Sequence, residues 1–473
     1  MPIIKSISGI RGTVGGEPGN NLTPVEIIKF SQAFGSFIRQ EKDLTKPLII
    51  LGRDSRVSGK MISDLISGSL VSQGIDVIDL DQAATPTVAM AVISEKADGA
   101  IVITASHNPQ GWNALKFLDS QGEFLSAEAG EKILSLAEKE FNLYVLEGEL
   151  GSYFLNNNLE DSHVNQIAGL ALVDKETISK RDFKIVIDGI NSIGAKAIPH
   201  TLEILGVKKQ IIINDSLDGR FSHNPEPLAE NLSEIMSLVK REKADMGIVV
   251  DPDVDRLAFI DEKGDVFGEE YTLVAIADYV LANFSVLDKS YPGKYQKATV
   301  SNLSSSRALR DISLKNGAIY EAAAVGEVNV VKKMKDIKAV IGGEGNGGII
   351  YPALHYGRDA MVGVALFLSA LALSGKKVSE LRAELPTYFM VKDKLALSPE
   401  LKIDLIIERL KTDYANENIT DIDGLKIDWE DSWLHLRVSN TEPIIRIYAE
   451  AKTEIEAKAK VEEIKAKILA DIK

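Results

Sequence analysis

The stretch GAIVITASHNP (Gly99–Pro109) joins a short apolar run to a polar turn, and this pattern recurs along the chain. The run is too short for a globular helix and is rich in valine and isoleucine, so it predicts a buried strand that ends at the turn. Four other stretches repeat the pattern: PLIILGRDSR (Pro47–Arg56), KIVIDGINSIG (Lys184–Gly194), MGIVVDPDVDR (Met246–Arg256) and AVIGGEGNGG (Ala339–Gly348).

Helical patterns such as TPVEIIKFSQAFGSFIRQ (Thr23–Gln40) lie between these runs. Alternation of strands and helices predicts α/β domains with largely parallel sheets. Ligands bind at the carboxyl ends of the strands in such sheets, so the polar turns are predicted to form the functional site. Recurrence of one strand-and-turn pattern also indicates a repeated domain architecture.

The C-terminal part of the chain has a different pattern. The stretches DSWLHLRVSN (Asp431–Asn440) and PIIRIYAEA (Pro443–Ala451) alternate polar and apolar residues, as half-exposed antiparallel strands do. They predict a small α+β domain that begins near residue 375. We therefore predict four domains, at residues 1–155, 156–262, 263–375 and 376–473.

Composition narrows the class of protein. The 473 residues are enough for several domains, and acidic residues outnumber basic ones by 69 to 54. The resulting charge of −15 argues against nucleic-acid binding, and the lack of cysteine excludes disulfides, thiolate catalysis and cysteine-bound zinc.

The N-terminus has no signal-peptide pattern, and the longest apolar stretch, Met361–Leu373, suits a buried helix because a membrane span needs about 20 residues. We expect a soluble, cytoplasmic protein with no nucleic-acid or membrane partner.

The segment DPDVDR places the carboxylates of Asp251, Asp253 and Asp255 at alternate positions. Carboxylates this close repel one another unless a cation lies among them, and oxygen ligands favour Mg²⁺ or Ca²⁺. An EF-hand is excluded because Arg256 stands at the sixth position, where that loop requires glycine. The segment predicts a site for a hard divalent cation, with an acidic surface turn as the alternative.

The segment TASHNP (Thr104–Pro109) sets Ser106 beside His107. A serine nucleophile with its own base is one interpretation, but adjacent side chains in an extended chain point apart and the glycine-flanked nucleophile elbow is absent. Of the two functional interpretations the better one is a phosphorylated Ser106 that faces a cation held by DPDVDR, although the hexapeptide alone does not favour it over a simple turn. The structural alternative is a strand-end turn in which Ser106 and Asn108 bond the backbone.

Cationic residues in other turns are further candidates. Lys116 can hold charge beside a phosphate or act as an acid or base, and Arg11 stands between glycines in GIRG. In GRDSR, Arg53, Asp54 and Arg56 can grip phosphate or form ion pairs, and we favour a structural ion pair for Arg53 and Asp54.

Two further turns are predicted to bind substrate. In GGEGNGG, Glu344 and Asn346 can bond vicinal sugar hydroxyls, whereas a flexible loop is the alternative. The segment RVSNTEPIIR combines hydroxyls, an amide and guanidinium groups, which together favour a bound phosphate. Its polar candidates are Arg437, Ser439, Asn440, Thr441 and Arg446.

Taken together and in order, GIRG, GRDSRVSG, TASHNP, DPDVDR, GEGNGG and RVSNTEP resemble the α-D-phosphohexomutase superfamily, which includes phosphoglucomutase, phosphomannomutase and phosphoglucosamine mutase. The resemblance spans essentially the whole chain. It implies three topologically similar mixed α/β domains and a C-terminal α+β domain, similar to the TATA-binding-protein fold, around a central cleft. It also implies Mg²⁺, a hexose 1,6-bisphosphate activator and a small phosphosugar substrate, bound by a monomer or homodimer.

The resemblance also implies a role for each candidate residue. Ser106 corresponds to the serine that carries a phosphoryl group, and it completes a Mg²⁺ shell formed by the three aspartates of DPDVDR. The residues implied to lie near the transferred phosphate are Arg11, His107 and Lys116. The predicted substrate-binding residues are Arg256, Glu344, Asn346, Arg437, Ser439, Asn440, Thr441 and Arg446.

The GEGNGG segment departs from the family pattern. Many members have Gly-Glu-x-Ser-Gly-His, whereas Asn346 replaces the serine here and Gly348 stands at the histidine position. A base assigned to that histidine is not carried over, and His355 is one conjectured replacement. This turn and VGEVNVVKKM (Val325–Met334) are similar to archaeal-type phosphoglucosamine and phosphomannose mutases, which favours phosphoglucosamine mutase activity.

In the expected reaction, phospho-Ser106 gives its phosphoryl group to a hexose phosphate and later recovers the other phosphate of the bisphosphate. Phosphomannomutase or phosphoglucomutase activity is the alternative within the family. Two other classes stay open at this point: a metal-dependent sugar phosphatase with an aspartate nucleophile, and a non-enzymatic sugar-phosphate binding protein.

Overall fold

The computed structural model describes residues 3–6, 9–42, 46–139, 144–396, 403–439 and 444–470. Within these ranges the strands form four separate sheets, which follow one another along the chain. Every apolar run that the sequence predicts as a buried strand is a strand that ends at its polar turn. The run GAIVI, for example, is buried at every residue.

The N-terminal domain is built on the first sheet. Its strands are β1 (Ile4–Ser6), β2 (Gly9–Thr13), β3 (Leu48–Arg53), β4 (Asp76–Gln82), β5 (Gly99–Ile103), β6 (Trp112–Leu118) and β7 (Tyr153–Leu155). Its helices are α1 (Pro24–Lys42), α2 (Gly59–Val71), α3 (Thr85–Glu95) and α4 (Ala127–Ala137), with a 3₁₀ helix at Glu147–Glu149. The strand order is β1-β2-β6-β5-β3-β4-β7.

The second and third domains each contain a four-stranded sheet, in the orders β11-β10-β8-β9 and β13-β12-β14-β15. The second domain comprises α5 (Leu159–Ala168), α6 (Lys175–Lys180), β8 (Lys184–Asp188), α7 (Gly194–Ile204), β9 (Lys209–Ile213), a 3₁₀ helix (Ala229–Asn231), α8 (Ser233–Glu242), β10 (Met246–Val250) and β11 (Leu257–Ile260). The third comprises α9 (Glu269–Ala282), α10 (Phe284–Ser290), β12 (Gln296–Asn302), α11 (Ala308–Lys315), β13 (Ile319–Ala323), α12 (Glu327–Asp336), β14 (Ala339–Glu344), β15 (Gly348–Ile350) and α13 (Ala360–Ser374).

The C-terminal domain is an antiparallel sheet with helices, as the alternating sequence predicts. It comprises α14 (Val378–Ala383), β16 (Phe389–Ala396), α15 (Ile403–Asp413), β17 (Asn418–Thr420), β18 (Leu425–Asp428), β19 (Trp433–Val438), β20 (Ile444–Ala451) and α16 (Glu454–Ala470). The strand order is β16-β20-β19-β18-β17, and every pair is antiparallel.

The first three sheets share one four-stranded motif. Its first strand pairs in parallel with the second and the third, and the third pairs antiparallel with the fourth. The motif consists of β3 to β6, β8 to β11, and β12 to β15. Two of the three pairings in each motif are parallel, as the sequence predicts, and the third is antiparallel because a short hairpin can join the last two strands only in that orientation. The sheets are therefore mixed, as the family resemblance implies.

The hairpin turn between the third and fourth strands occupies the same place in each motif. We call these turns the serine turn (104–111), the aspartate turn (251–256) and the glycine turn (345–347). The serine turn contains TASHNP, the aspartate turn is DPDVDR, and the glycine turn is the centre of GEGNGG. Three of the predicted site segments are thus topologically equivalent.

One apolar core joins the second and third domains. Helix α13, predicted to be buried, packs against α5, α6 and α7 of the second domain and against α9 of the third. Its residues from Ala360 to Ala372 are all buried, and side chains of both domains belong to a single hydrophobic cluster. These two domains therefore form one packed unit.

The C-terminal domain has a hydrophobic core of its own and meets the third domain through hydrogen bonds. These bonds join the Ser304 hydroxyl to His435 Nδ1, the Arg307 amide to the Glu450 carboxylate, and the Lys426 ammonium to the Leu303 carbonyl, each at 2.9 Å. The sheet of the last domain is thus attached by polar contacts, whereas Val378, Leu385 and Tyr388, which precede that sheet, belong to the core of the second and third domains.

Among the described residues, no single helix is long and apolar enough to cross a membrane. The pair α9 and α10 reaches that length and composition only when its two members, bent by 66°, are counted together.

Candidate active site

The three hairpin turns meet at the carboxyl ends of the central strands. The Thr85 amide donates to the Asp253 carbonyl at 3.0 Å, and the Leu257 amide donates to the Gly347 carbonyl at 3.2 Å. Gly347 has a φ of +81°, and a Cβ there would lie 2.1 Å from the Leu257 carbonyl oxygen. Only glycine allows this approach, so the glycine turn lies directly against the end of the aspartate turn.

A buried arginine holds the serine turn. The Arg56 guanidinium donates through Nε to the Asp54 carboxylate at 3.1 Å. Its other N–H groups donate, at 2.6 to 2.9 Å, to the carbonyl oxygens of Ser106, Asn108, Pro109 and Trp112. All five donors of the side chain are used. Asp54 therefore forms the structural ion pair that the sequence favours, but its partner is Arg56, whereas Arg53 pairs with Asp81.

Ser106 is positioned for contact with the aspartate turn. Its hydroxyl donates to Asp251 Oδ2 at 2.6 Å, and its amide donates to the Thr104 hydroxyl at 2.9 Å. Its φ of +48° is left-handed, a conformation that non-glycine residues rarely adopt. The turn thus directs a nearly buried serine oxygen at the carboxylates.

His107 lies beside Ser106, with Nδ1 3.4 Å from the serine Oγ. The expectation that these neighbouring side chains diverge is wrong, because the left-handed serine breaks the extended geometry on which it rests. Burial and nearby cations, Arg256 first among them, lower the pKa of His107 to about 2. The imidazole is therefore neutral.

The aspartate turn gathers its carboxylates. One oxygen from each of Asp251, Asp253 and Asp255 lies within 4.8 Å of the others, and all three residues are buried. Val254 between them has a φ of +63°, an outlier for a β-branched residue. The Val254 carbonyl accepts the Ala360 amide at 3.2 Å, so the start of α13 supports the strained turn.

Two of the carboxylates each have one oxygen that accepts hydrogen bonds and one that accepts none from the described residues, although Asp255 Oδ1 lies 4.0 Å from Arg256 Nε. Asp253 Oδ2 accepts from the Thr85 hydroxyl at 2.6 Å and from Lys116 Nζ at 2.8 Å, and Asp255 Oδ2 accepts from Arg358 at 2.7 Å. The buried Oδ1 atoms of Asp253 and Asp255 have no hydrogen-bond partner among the described residues. A buried carboxylate oxygen without a donor is unfavourable, and Mg²⁺ binds such oxygens. The donor set therefore fits Mg²⁺.

The charges of the turn influence one another strongly. Burial and the like charges of Asp255 and Asp253 raise the pKa of Asp251 well above its usual value. Burial also acts to raise the pKa of Asp253, but the Lys116 charge and side-chain hydrogen bonds with Asp251, Lys116 and Thr85 together outweigh it, and the pKa is lowered. A cation among these carboxylates relieves the repulsion that Asp251 experiences.

Arg358, which sequence reasoning missed, links two of the turns. Its guanidinium donates to Asp255 at 2.7 Å, to Glu344 at 2.9 Å and to Glu327 at 2.8 Å. A Cβ on Gly348 would lie 2.3 Å from Arg358 Cδ. The glycine that replaces the family histidine therefore makes room for this arginine. In the sequence, the only sign of this role is that Arg358 stands just before an apolar helix. Its three carboxylate partners become visible only in the folded structure.

Glu344 and Asn346 behave differently within GEGNGG. The Glu344 carboxylate also accepts from the Asn302 side chain at 2.9 Å and from the Gly326 amide at 3.2 Å, so it is held at the site. Asn346 Oδ1 accepts the Gly348 amide at 3.2 Å and so closes its own turn. The structure therefore places Glu344 with the site and gives Asn346 a local partner.

The conjectured replacement base, His355, has a structural partner. Its Nε2 lies 3.3 Å from Asp359 Oδ2, and His163 approaches the same oxygen at 3.0 Å. The other oxygen of Asp359 caps α13 by accepting the Met361 amide at 2.8 Å. His355 thus helps to order the start of α13.

Two predicted arginines lie around the turns. Arg11 reaches the serine turn, where its guanidinium lies 3.5 Å from Asn108 Oδ1. Arg256 donates to Glu226 at 3.1 Å, in the segment that precedes the aspartate turn.

The predicted phosphate-binding segment belongs to the C-terminal sheet. Arg437 and Arg446 are directly opposite each other on β19 and β20, and Ser439 follows β19. The predicted residues Asn440 and Thr441 lie outside the described residues.

Comparison with known proteins gives matches along the whole chain. Four phosphoglucomutase/phosphomannomutase domain families match: alpha/beta/alpha domain I at residues 3–143, domain II at 161–264, domain III at 269–389 and the C-terminal domain at 390–467.

Two relatives are each 36% identical to the chain. One is a phosphoglucomutase/phosphomannomutase from Thermococcus kodakarensis, with 96% of each chain covered, and the other is a phosphoglucosamine/phosphogalactosamine mutase from Sulfurisphaera tokodaii, with 97% of each covered. Among solved structures, a phosphoglucomutase/phosphomannomutase family protein from Burkholderia thailandensis has a TM-score of 0.83 at 23% identity, over 99% of this chain and 97% of its own.

The contact between Gly348 and Arg358 can be tested by a double-mutant cycle. We expect Gly348→Ala to lower the free energy of unfolding by about 1–3 kcal/mol, because the added methyl overlaps Arg358 Cδ. In an Arg358→Ala background most of this loss should disappear. Denaturant unfolding measures all four proteins.

Gly148→Ala is the matched control, because a Cβ there meets no atom within 4 Å. Its free energy of unfolding should stay within about 0.5 kcal/mol of wild type. An equal loss for Gly348→Ala in both backgrounds would show that Arg358 is not the residue displaced.

Proposed function

Because the chain belongs to the phosphoglucomutase/phosphomannomutase family of α-D-phosphohexomutases, which are intramolecular phosphotransferases, we propose that it interconverts hexose 6-phosphates and hexose 1-phosphates through phospho-Ser106. The observation that carries this proposal is the 2.6 Å contact between Ser106 Oγ and Asp251. It joins the proposed phosphoryl carrier to an aspartate turn that fits Mg²⁺.

The proposed reaction conserves both phosphoryl groups. A sugar hydroxyl bonds to phosphorus as the phosphorus–Oγ bond of Ser106 breaks, and the proton that the sugar hydroxyl loses is balanced by the proton that the released Ser106 Oγ gains, which gives a hexose 1,6-bisphosphate and a free serine hydroxyl. The other phosphate then returns to Ser106 by the reverse step. Free hexose 1,6-bisphosphate is the proposed activator because it can phosphorylate an unphosphorylated Ser106.

The residues of the chain supply position and charge, which phosphoryl transfer needs more than covalent catalysis. Arg56 holds the backbone of the serine turn, so Ser106 Oγ has a defined direction. Lys116 and Arg358 orient Asp253 and Asp255 and leave their Oδ1 atoms available.

The proposed ligands of Mg²⁺ are Asp251, Asp253 and Asp255, together with the phosphate of phospho-Ser106. When bound, the ion would neutralise charge on the phosphoryl group. The orphaned Oδ1 atoms described above support this assignment.

We propose phosphoglucosamine as the preferred substrate class. The support is the GEGNGG segment together with the relative named phosphoglucosamine/phosphogalactosamine mutase. The relative named phosphoglucomutase/phosphomannomutase is equally similar, so activity on mannose or glucose phosphates is the alternative. The matched families and relatives are named as mutases. They give no support to a sugar phosphatase or to a non-enzymatic binding protein.

The role of Ser106 predicts a covalent signature. Intact-mass analysis should find a fraction of the protein with one added phosphate, and peptide mapping should locate it on Ser106. Ser106→Ala should lower turnover at least about a thousandfold, because the phosphoryl carrier is lost. Ser94→Ala, an exposed serine of the same domain, should retain wild-type turnover. Full activity of Ser106→Ala would exclude the mechanism.

Removal of the metal should stop the reaction. A chelator is expected to abolish turnover and added Mg²⁺ to restore it. Asp253→Asn should weaken Mg²⁺ binding about 10–100-fold, measured by calorimetric titration. Asp265→Asn, at an exposed aspartate of the neighbouring turn, should bind Mg²⁺ as wild type does. Equal affinities in the two variants would remove Asp253 from the ligand set.

A turnover panel tests the sugar preference. Glucosamine, mannose, glucose and N-acetylglucosamine 6-phosphates would each be assayed with the matching 1,6-bisphosphate as primer. We expect glucosamine 6-phosphate to give the highest kcat/KM. A higher value for mannose or glucose 6-phosphate would replace the proposed substrate with that sugar.

A further inference from the structure

Three cationic side chains occupy one register of the C-terminal sheet. Arg437 on β19 is opposite Arg446 on β20, and Arg446 is in turn opposite Lys394 on β16. Directly opposed residues of antiparallel strands project from the same face, so the three form a row, which we call the cation row. Like charges placed opposite each other destabilise a sheet, Asp423 offsets part of this repulsion at Arg437, and a bound anion would offset more of it.

The cation row begins at the candidate active site. Arg437 Nε lies 3.2 Å from Asp423 Oδ2, which accepts the Val325 amide at 2.9 Å. The next amide, from Gly326, donates to the Glu344 carboxylate at 3.2 Å. A short chain of contacts therefore links the arginine end of the row to the glutamate beside the glycine turn.

Lys394 stands at the other end of the row with its ammonium uncommitted. The side chain is exposed and makes no ion pair with any residue in the described ranges. Its neighbours on β16 are both paired: Lys392 with Glu269 at 2.6 Å, and Asp393 with Lys465 at 2.9 Å. Lys394 is therefore the charged residue of this strand segment that is available to a ligand.

An open cavity of about 280 Å³ lies beside the row. Arg446, Lys394 and Lys392 line it, as does Asp393, whose carboxylate is paired with Lys465. Arg446 donates to the Tyr448 hydroxyl at 3.2 Å along the same face. The cavity thus brings a guanidinium and an ammonium to one space that is open to solvent.

We propose that Lys394 is a further phosphate-binding residue, which contacts the substrate phosphate that stays bound while the other phosphate reacts. This inference rests on the proposed function and extends its phosphate site beyond the segment RVSNTEPIIR. The ligand class is a dianionic phosphoryl group on a sugar. Lys394 is remote from this segment in sequence and reaches it only through the pairing of β16 with β20.

A contact to a non-reacting phosphate predicts a particular kinetic change. Such a contact contributes equally to substrate and transition-state binding, so its loss raises KM and leaves kcat almost unchanged. We expect Lys394→Ala to raise KM for a hexose 6-phosphate about tenfold with kcat within about twofold of wild type. Lys394→Arg, which keeps the charge, should stay within about threefold of the wild-type KM.

Lys458→Ala is the matched control. Lys458 is an exposed lysine on α16 of the same domain, paired with Glu454 one helical turn away, and its removal changes the net charge by the same amount. Its KM should equal that of wild type. A rise in KM shared by both variants would indicate a general charge effect and overturn the role of Lys394.

Binding without turnover separates this proposal from the proposed function. Calorimetry would measure the Kd of the same hexose 6-phosphate for Ser106→Ala and for Ser106→Ala with Lys394→Ala, and we expect about tenfold weaker binding in the second. If wild type fails to turn over any hexose phosphate but this difference appears, the mutase function falls and the phosphate contact stands. If wild type is active but KM and Kd do not respond to Lys394→Ala, the phosphate contact is overturned.

Discussion

The site depends on one buried guanidinium. Arg56 directs four of its N–H groups at backbone carbonyls of the serine turn and the fifth at Asp54. These bonds keep the turn in a conformation that its sequence alone does not favour, since Ser106 is left-handed. A lysine has three donors on one atom and cannot span such a set of acceptors. The direction of Ser106 Oγ towards the aspartates follows from this planar, five-donor group.

Topological repetition explains why segments far apart in the chain converge. The serine, aspartate and glycine turns each connect the third and fourth strands of the same motif, so each lies at the same end of its own sheet. Because the second and third domains pack on α13, the sheet ends that carry the aspartate and glycine turns are held together. Hydrogen bonds between Thr85 and Asp253 attach the N-terminal domain to them. The C-terminal domain lacks the motif and contributes through the face of an antiparallel sheet instead.

Much of this arrangement could be predicted from the sequence, because strands and turns are local. Apolar runs, the spacing of the aspartates and the position of Ser106 are all visible as short patterns. Arg56 is visible in GRDSR but its hold on the serine turn is not, and Arg358 and Lys394 could not be found in that way at all. Their roles depend on carbonyl positions in a distant turn, on the space left by Gly348, and on strand register, all of which arise only on folding. The expected divergence of Ser106 and His107 failed for a related reason: a single left-handed residue reverses it.

The way the last domain is attached has a mechanical consequence. A joint of hydrogen bonds can open as water replaces each donor and acceptor, whereas the shared core on α13 cannot part without exposing hydrocarbon. The core shared by the second and third domains therefore resists separation more strongly than the polar joint that holds the last sheet. This joint holds the sheet face that carries Arg437 beside the third domain, so solvent competes directly for the contacts that position that face.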